Sequence, residues 1–144
     1  MPLHLQKLCV GADSFEDMAE WVAEQAAAKK KRGQKPVTSH TTRMMPNRGE
    51  EILSGGSLYW IIKGVMCARQ KIIELRPVTD KDGISRCQIV MEPKLIRVEP
   101  RPHRAFQGWR YLKDDDAPRD MSDAAAKAGL PPHIVVELKE LGLL

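Results

Sequence analysis

The sequence predicts one α+β domain built around a curled mixed or antiparallel sheet. A chain of 144 residues has the size of one domain and can bury a core without disulfides or metals. Strand-like segments crowd the middle of the chain, whereas both ends show helical spacing. Residues 57–98 leave no room for the crossover helices of a parallel doubly wound sheet. We therefore expect residues 1–144 to form a single domain, with an α/β core over 1–112 and a helical extension over 113–144.

The first third of the chain predicts a strand followed by a long helix. Residues 3–10 are typical of a strand that ends at Gly11. Ser14 precedes a stripe of apolar residues at helical spacing that begins at Phe15, and acids follow it in the first turn. The basic run over 29–32 suits a helix C-terminus, and Gly33 is a natural terminator.

The middle of the chain predicts several strands. Residues 37–43 are rich in threonine and favour a strand, and 47–53 favours a short helix. Residues 57–76 are β-branched and aromatic, and are long enough to require a bend, which we place at Gly64. Alternation puts one apolar set on one face, namely Leu58, Trp60, Ile62, Met66 and Ala68. It puts a polar set on the other face, namely Tyr59, Lys63, Arg69 and Lys71.

The last third continues the sheet and ends in a helix. The turn signature over 80–83 predicts a hairpin, with strands at 84–91 and 95–98. Residues 100–104 are expected to form a stiff basic loop. A short C-terminal helix is predicted after Pro132, with a stripe of apolar residues, namely Ile134, Val135, Leu138 and Leu141.

Positive charge is concentrated in one continuous segment. Residues 1–28 carry a net charge of −4, residues 29–110 a net charge of +11, and residues 111–144 a net charge of −3. Such segregation is typical of a protein with an anionic partner. The alternative is that folding interleaves the three segments, so that their charges cancel.

Aromatic residues accompany the basic ones. Five of the seven aromatic side chains lie in two short segments that are also basic, around residues 59–71 and 101–111. Single-stranded RNA is bound by cations on its phosphates and by rings under its bases. We therefore predict a nucleic-acid-binding surface, for RNA before DNA, although aromatic residues in strands are more often core. Its candidate residues are Tyr59, Lys63, Arg69, Arg101, Arg104, Trp109 and Arg110.

No local signature of catalysis, metal binding or a cofactor is present. The glycines at 55–56 precede a strand rather than a helix, which argues against a phosphate-binding loop. The four histidines are widely separated. A small hydrolase of nucleotide-like substrates, using Lys63, Thr41 or Thr42, and Glu74, is one alternative function. A protein-interaction adaptor that uses the last helix is another.

We expect a binding protein rather than an enzyme, and a cytoplasmic location. The first residues lack the features of a secretory signal, and no stretch approaches the roughly 20 apolar residues of a membrane helix. The oligomeric state is left open.

Three segments resemble a bacterial family of uncharacterised proteins that is known only as a domain of unknown function. They are His40-Thr-Thr-Arg-Met-Met-Pro46, Gly55-Gly-Ser-Leu-Tyr-Trp-Ile-Ile-Lys-Gly64 and Phe106-Gln-Gly-Trp-Arg-Tyr-Leu112. The resemblance extends over most of the chain, from Lys7-Leu-Cys-Val-Gly11 onward, and implies no activity. The layout of a short helix, a glycine turn and an aromatic, basic strand is also similar to PUA-like β-barrels, which include RNA-binding modules. That similarity implies a barrel-like sheet.

The first prediction concerns the three cysteines. Cys9, Cys67 and Cys87 are far apart in apolar stretches, without a CxxC pair, so we expect reduced structural thiols and no bound metal. Elemental analysis of the purified protein should detect no zinc or iron. Near-stoichiometric metal would contradict this prediction.

Overall fold

The computed structural model describes residues 2–121, which form a seven-stranded mixed sheet, two helices and one 3-10 turn. The predicted C-terminal helix lies outside these residues. The elements, in chain order, are β1 (Leu3–Leu8), α1 (Phe15–Lys31), β2 (Thr38–Thr42), α2 (Gly49–Leu53), β3 (Ser57–Ile62), β4 (Val65–Thr79), β5 (Ser85–Met91), β6 (Ile96–Pro102), β7 (Trp109–Lys113) and the 3-10 turn Asp114–Asp116. None of the helices in this part of the chain is long and apolar enough to cross a membrane.

Helix α1 begins and ends as its sequence predicts. The Ser14 side chain accepts a hydrogen bond from the Asp17 backbone N–H at 3.1 Å, which caps the first turn. Three basic residues occupy the last turn, where the helix dipole favours them. The helix buries Phe15, Met18 and Val22 against the sheet, so tertiary packing holds it in place.

Strands β3 and β4 form a hairpin with a two-residue turn at Lys63 and Gly64. Both residues have positive φ values, 47° and 78°, which is the backbone of a tight hairpin turn. The bend predicted at Gly64 is therefore a complete reversal. Because Ile62 lies opposite Val65, Met66 lies opposite Ile61 and faces away from Trp60. The expectation that Met66 shares the face of Trp60 was wrong, since it did not include the turn.

Strand β4 joins the two halves of the sheet. Its first residues, 65–71, lie between β3 and β6, and its later residues, 72–79, pair with β5. The strand order is β2-β5-β4-β3-β1-β7, with β6 beside the first half of β4. The pairing of β1 with β3 is parallel and the other pairings are antiparallel. The predicted α+β class with a mixed sheet is confirmed.

The sheet is not closed into a barrel. In the described part of the chain, the end strands β2 and β7 do not pair with each other. A loop spans the gap instead, because the Trp109 indole N–H donates to the Met44 carbonyl at 2.7 Å. The barrel form suggested by the PUA-like layout is therefore not observed.

One expectation for the last third needs correction. Strand β6 continues to Pro102, so most of the predicted loop over 100–104 is strand. An edge strand tolerates proline because one side of its backbone has no partner. Residues 109–113 form β7, which pairs antiparallel with β1.

Both faces of the central strands are buried. One face packs under α1 around Leu5, Leu58 and Trp60, and Trp60 is core as expected. The other face contains a smaller cluster around Tyr59, Ile61 and Val98, in contact with Phe106 and Ala117 from the chain that follows β6. The second face is therefore mostly covered.

A buried amide connects the two halves of the sheet at the point where β4 changes partner. The Gln70 side chain is fully buried and accepts a hydrogen bond from the Trp60 indole N–H at 3.0 Å. Its NH₂ group donates to the Thr38 hydroxyl at 2.9 Å and to the Glu92 carbonyl at 3.1 Å. One side chain thus links β2, β3 and β4 with the end of β5.

The second prediction tests this buried network. Gln70→Leu should destabilise the fold by about 3 kcal/mol, because the Trp60 N–H and the Glu92 carbonyl lose their partner inside the core. The melting temperature should then fall by roughly 10 °C. Gln88→Leu is the matched control, since Gln88 is half-buried and its hydrogen bond to Ser39 is long, at 3.3 Å. Its effect should stay within about 0.5 kcal/mol. Equal losses in the two variants would show that the Gln70 network has no special role.

Candidate nucleic-acid interface

Four of the predicted site residues lie at the end of the sheet formed by the β3–β4 turn. Lys63 is part of that turn, and Arg101 lies opposite Met66 just beyond it. The His103 backbone N–H donates to the Gly64 carbonyl at 2.9 Å, which fixes the end of β6 against the turn. Arg104 follows in the loop that leads to β7, where Arg110 lies near the end of β1. We call Lys63, Arg101, Arg104 and Arg110 the hairpin-end surface.

Two arginines of the hairpin-end surface are held by neutral groups. The Arg101 guanidinium donates to the Asp116 backbone carbonyl, and the Arg110 guanidinium carbon lies 4.6 Å from the centre of the Phe106 ring. The Phe106 ring in turn meets His103 edge-on at 5.3 Å. These contacts orient the two cations without neutralising their charge.

The other two cations of the surface are open to solvent. Lys63 lies 3.4 Å from an Asp13 oxygen, but both side chains are more than 60% exposed, so this ion pair is weak. Arg104 is exposed and makes no ion pair or hydrogen bond through its side chain within residues 2–121. All four members therefore retain positive charge at the surface.

Tyr59 and Arg69 lie on the same face of the sheet as Arg101, but both side chains contact other groups of the protein. Tyr59 is only 4% exposed, and its ring meets His4 edge-on at 5.1 Å. Arg69 donates two hydrogen bonds to the Asp120 carboxylate, at 2.6 and 2.7 Å, and one to the Ser57 hydroxyl at 2.9 Å. This pairing lowers the pKa of Asp120 and raises the pKa of Arg69. Neither side chain is available to a phosphate or base in this arrangement.

Trp109 lies on the opposite face of the sheet from Arg110. Neighbouring residues of a strand point to opposite faces, and Trp109 packs against the core under α1. Its ring meets Tyr111 edge-on at 4.9 Å, and the Tyr111 hydroxyl accepts hydrogen bonds from two backbone N–H groups, of Asn47 and Arg48. Trp109 and Tyr111 thus hold the 43–48 loop, and the structure does not bring Trp109 to the hairpin-end surface.

Folding cancels part of the charge segregation seen in the sequence. Cations of the basic middle segment pair with acids of the flanking segments, in Arg97–Glu16, Lys63–Asp13 and Arg69–Asp120. Arg97 also lies over the Phe15 ring, 4.0 Å from its centre. The alternative of interleaved segments therefore holds for these pairs, one of which, the weak Lys63–Asp13 pair, involves the hairpin-end surface. The three arginines of that surface form no ion pair within residues 2–121.

A polar pocket that was not predicted from the sequence lies beside Arg69, on the face of the sheet that carries Tyr59. His4 is 5% exposed, and its Nε2 lies 2.7 Å from Asp114 Oδ1. Its Nδ1 accepts a hydrogen bond from the Ser57 backbone N–H at 2.9 Å. The partners are 53 and 110 residues apart in the chain, so no local motif could have revealed them.

This pocket is not a catalytic triad. Both ring nitrogens of His4 are occupied, one by Asp114 and one by a backbone N–H, so neither can take a proton from the Ser57 hydroxyl. That hydroxyl instead accepts from Arg69. The arrangement joins β1, β3, β4 and the 114–120 segment, which is a structural role.

The residues of the proposed hydrolase are not brought together. Lys63 lies at one end of β4, and Glu74 lies roughly 30 Å along that strand, where its carboxylate pairs with Arg76. Such a separation excludes these two residues as an acid/base pair. Within the described residues, no group of three or more histidine, cysteine or acidic side chains could hold a metal.

The cysteine thiols are poor nucleophiles. Burial raises the pKa of Cys67 to about 12, and it raises the pKa values of Cys9 and Cys87. A thiol with a raised pKa carries little thiolate at neutral pH. Cys67 and Cys87 are buried in the core, as expected for small apolar residues.

Comparisons with known proteins identify a family and no function. No curated protein and no solved structure gives a significant match to the chain. A family model described as a protein of unknown function (DUF1489) matches residues 5–144, and the chain therefore belongs to this family.

Proposed function

We propose that the protein binds RNA through the hairpin-end surface. The observation that supports this proposal is that two arginines of the surface are oriented by uncharged groups rather than by carboxylates. Arg48, Arg69, Arg76, Arg86 and Arg97 each pair with a carboxylate. By contrast, Arg101 and Arg110 are oriented by a backbone carbonyl and an aromatic ring. A cation that is positioned but not neutralised can meet a phosphate with little loss of side-chain freedom.

The shape of the surface favours a single strand over a duplex. The surface is formed by the β3–β4 turn, the end of β6, the start of β7 and the loop between them. The Arg110 guanidinium lies over the half-buried Phe106 ring, and an unpaired base could stack on that guanidinium plane. Reading a DNA duplex usually requires a helix or a β-ribbon in the major groove. The exposed side of α1 carries Glu20 and Glu24 at helical spacing, which would repel phosphates. A single strand is therefore the preferred form of the ligand, and we propose RNA before DNA.

The third prediction concerns the salt dependence of RNA binding. A fluorescently labelled single-stranded RNA 12-mer of mixed sequence, titrated at several salt concentrations, should bind with a log–log slope of about −0.7 per phosphate contact. Four contacts would give a slope near −3. Arg101→Glu with Arg104→Glu should weaken binding by more than tenfold at low salt and reduce the slope by about 1.5. The melting temperature should change little, because both side chains are exposed.

A matched control distinguishes binding at this surface from non-specific electrostatic attraction between RNA and the positively charged protein. Lys35→Glu with Lys81→Glu makes the same change in net charge at exposed sites outside the hairpin-end surface, with Lys81 in the turn at the far end of β4. This pair should lower the affinity only slightly and leave the slope unchanged. If wild-type protein does not bind at low salt, or if both pairs lose affinity equally, the proposal is wrong.

A further inference from the structure

A second cavity lies on the opposite face of the sheet, between the first turns of α1, the β1–α1 loop and β2. Its volume is about 350 Å³, which falls within the roughly 300–1,000 Å³ of small-molecule sites. Its walls are mainly apolar and aromatic, with Ala12, Met18, Trp21 and Trp60 among them. His40 supplies a polar group, and its ring meets Trp60 edge-on at 5.5 Å and 89°.

The mouth of this cavity exposes large apolar side chains. Val10 is 93% exposed and Trp21 is 42% exposed, although Trp21 belongs to a helix whose other large apolar residues are buried. Burying such a side chain is favourable by about 1.5–3 kcal/mol. A flat apolar ligand in the cavity would cover the indole of Trp21, which the fold leaves open.

A cation without a carboxylate partner lies beside the cavity. Lys7 is half-buried on the face of Trp60, which is its register partner in β3, and it forms no ion pair within residues 2–121. Burial lowers the pKa of Lys7. Burial and, second, the charge of Lys7 lower the pKa of His40. A partly desolvated cation is stabilised by an anion nearby.

The acid that lines the cavity does not supply this anion. Asp17 lies at the exposed mouth, and its carboxylate accepts a hydrogen bond from the Asp13 backbone N–H at 3.2 Å. It forms no ion pair with Lys7. Lys7, the register partner of Trp60, therefore has no ion-pair partner within the described part of the chain.

We propose that this cavity binds a small planar aromatic carboxylate, with its rings against Trp21 and Trp60 and its carboxylate toward Lys7 and His40. Aromatic walls favour a planar body over an aliphatic one. The uncompensated lysine favours an anionic group over a neutral one. The site lies on the face opposite to the cluster that contacts the Phe106 loop, and none of the residues that line it belongs to the hairpin-end surface.

The fourth prediction compares two probes on the full-length protein. The probes are 2-naphthoate and its neutral analogue 2-naphthalenemethanol, and calorimetry or NMR titration measures their dissociation constants. We expect 2-naphthoate to bind about tenfold more tightly. Lys7→Met should remove this preference, and Trp21→Ala should weaken both probes by about tenfold. The matched control Lys71→Met, in an exposed position on β4, should change neither constant.

The protonation of His40 gives a readout that packing alone would not change. A carboxylate beside the ring favours the imidazolium, so 2-naphthoate should raise the pKa of His40, followed by NMR, whereas the alcohol should not. The proposal is overturned if neither probe binds at millimolar concentration, if Lys7→Met keeps the tenfold preference, or if Trp21→Ala leaves both constants unchanged.

Discussion

The fold depends on strand β4 belonging to both halves of the sheet. Over its 15 residues β4 pairs first with β3 and β6 and then with β5, and Gln70 lies where the partners change. At that point a strand loses regular neighbours, and polar groups in the core need other partners. The buried amide satisfies the Trp60 indole, the Thr38 hydroxyl and the Glu92 carbonyl together. The β3–β4 turn, and with it the hairpin-end surface, is held in place by the first half of this strand.

The charge distribution follows from this architecture. The acidic N-terminal segment lies against β6 through Arg97–Glu16, and the acidic segment after β7 returns to β4 through Arg69–Asp120. The Arg69–Asp120 pair contributes stability only while Asp120 is ionised. The pairing lowers the pKa of Asp120 in the folded state. The contribution is therefore fully present above the pKa of an aspartate in the unfolded chain, about 4, and is lost as the pH falls through the pKa of Asp120 in the folded protein. At the turn end, Lys63 pairs weakly with Asp13, and Arg101 binds a backbone carbonyl rather than a carboxylate.

Local patterns were enough to predict most elements, because they depend on neighbours in the chain. The Ser14 cap, the stripe that begins at Phe15 and a change of direction at Gly64 could all be predicted from short segments, although the last was predicted as a bend and is a complete turn. The roles of side chains could not, because their partners are distant. Arg69 and Lys63 both carry a positive charge, but Arg69 forms an ion pair with Asp120, 51 residues away, whereas Lys63 remains exposed. Similarly, Trp109 and Arg110 point to opposite faces of the sheet because they are neighbours in β7. The pairing of β7 with β1 had not been predicted.

The proposed RNA site is the turn end of the sheet and not the basic chain in general. The most direct measurement follows backbone amide signals of ¹⁵N-labelled protein by NMR during titration with a single-stranded RNA 12-mer. Binding at the turn end should give the largest shifts on residues 63–64 and 101–110, with little change over 79–85. Shifts concentrated on the basic run over 29–32, or spread evenly over exposed lysines and arginines, would contradict it.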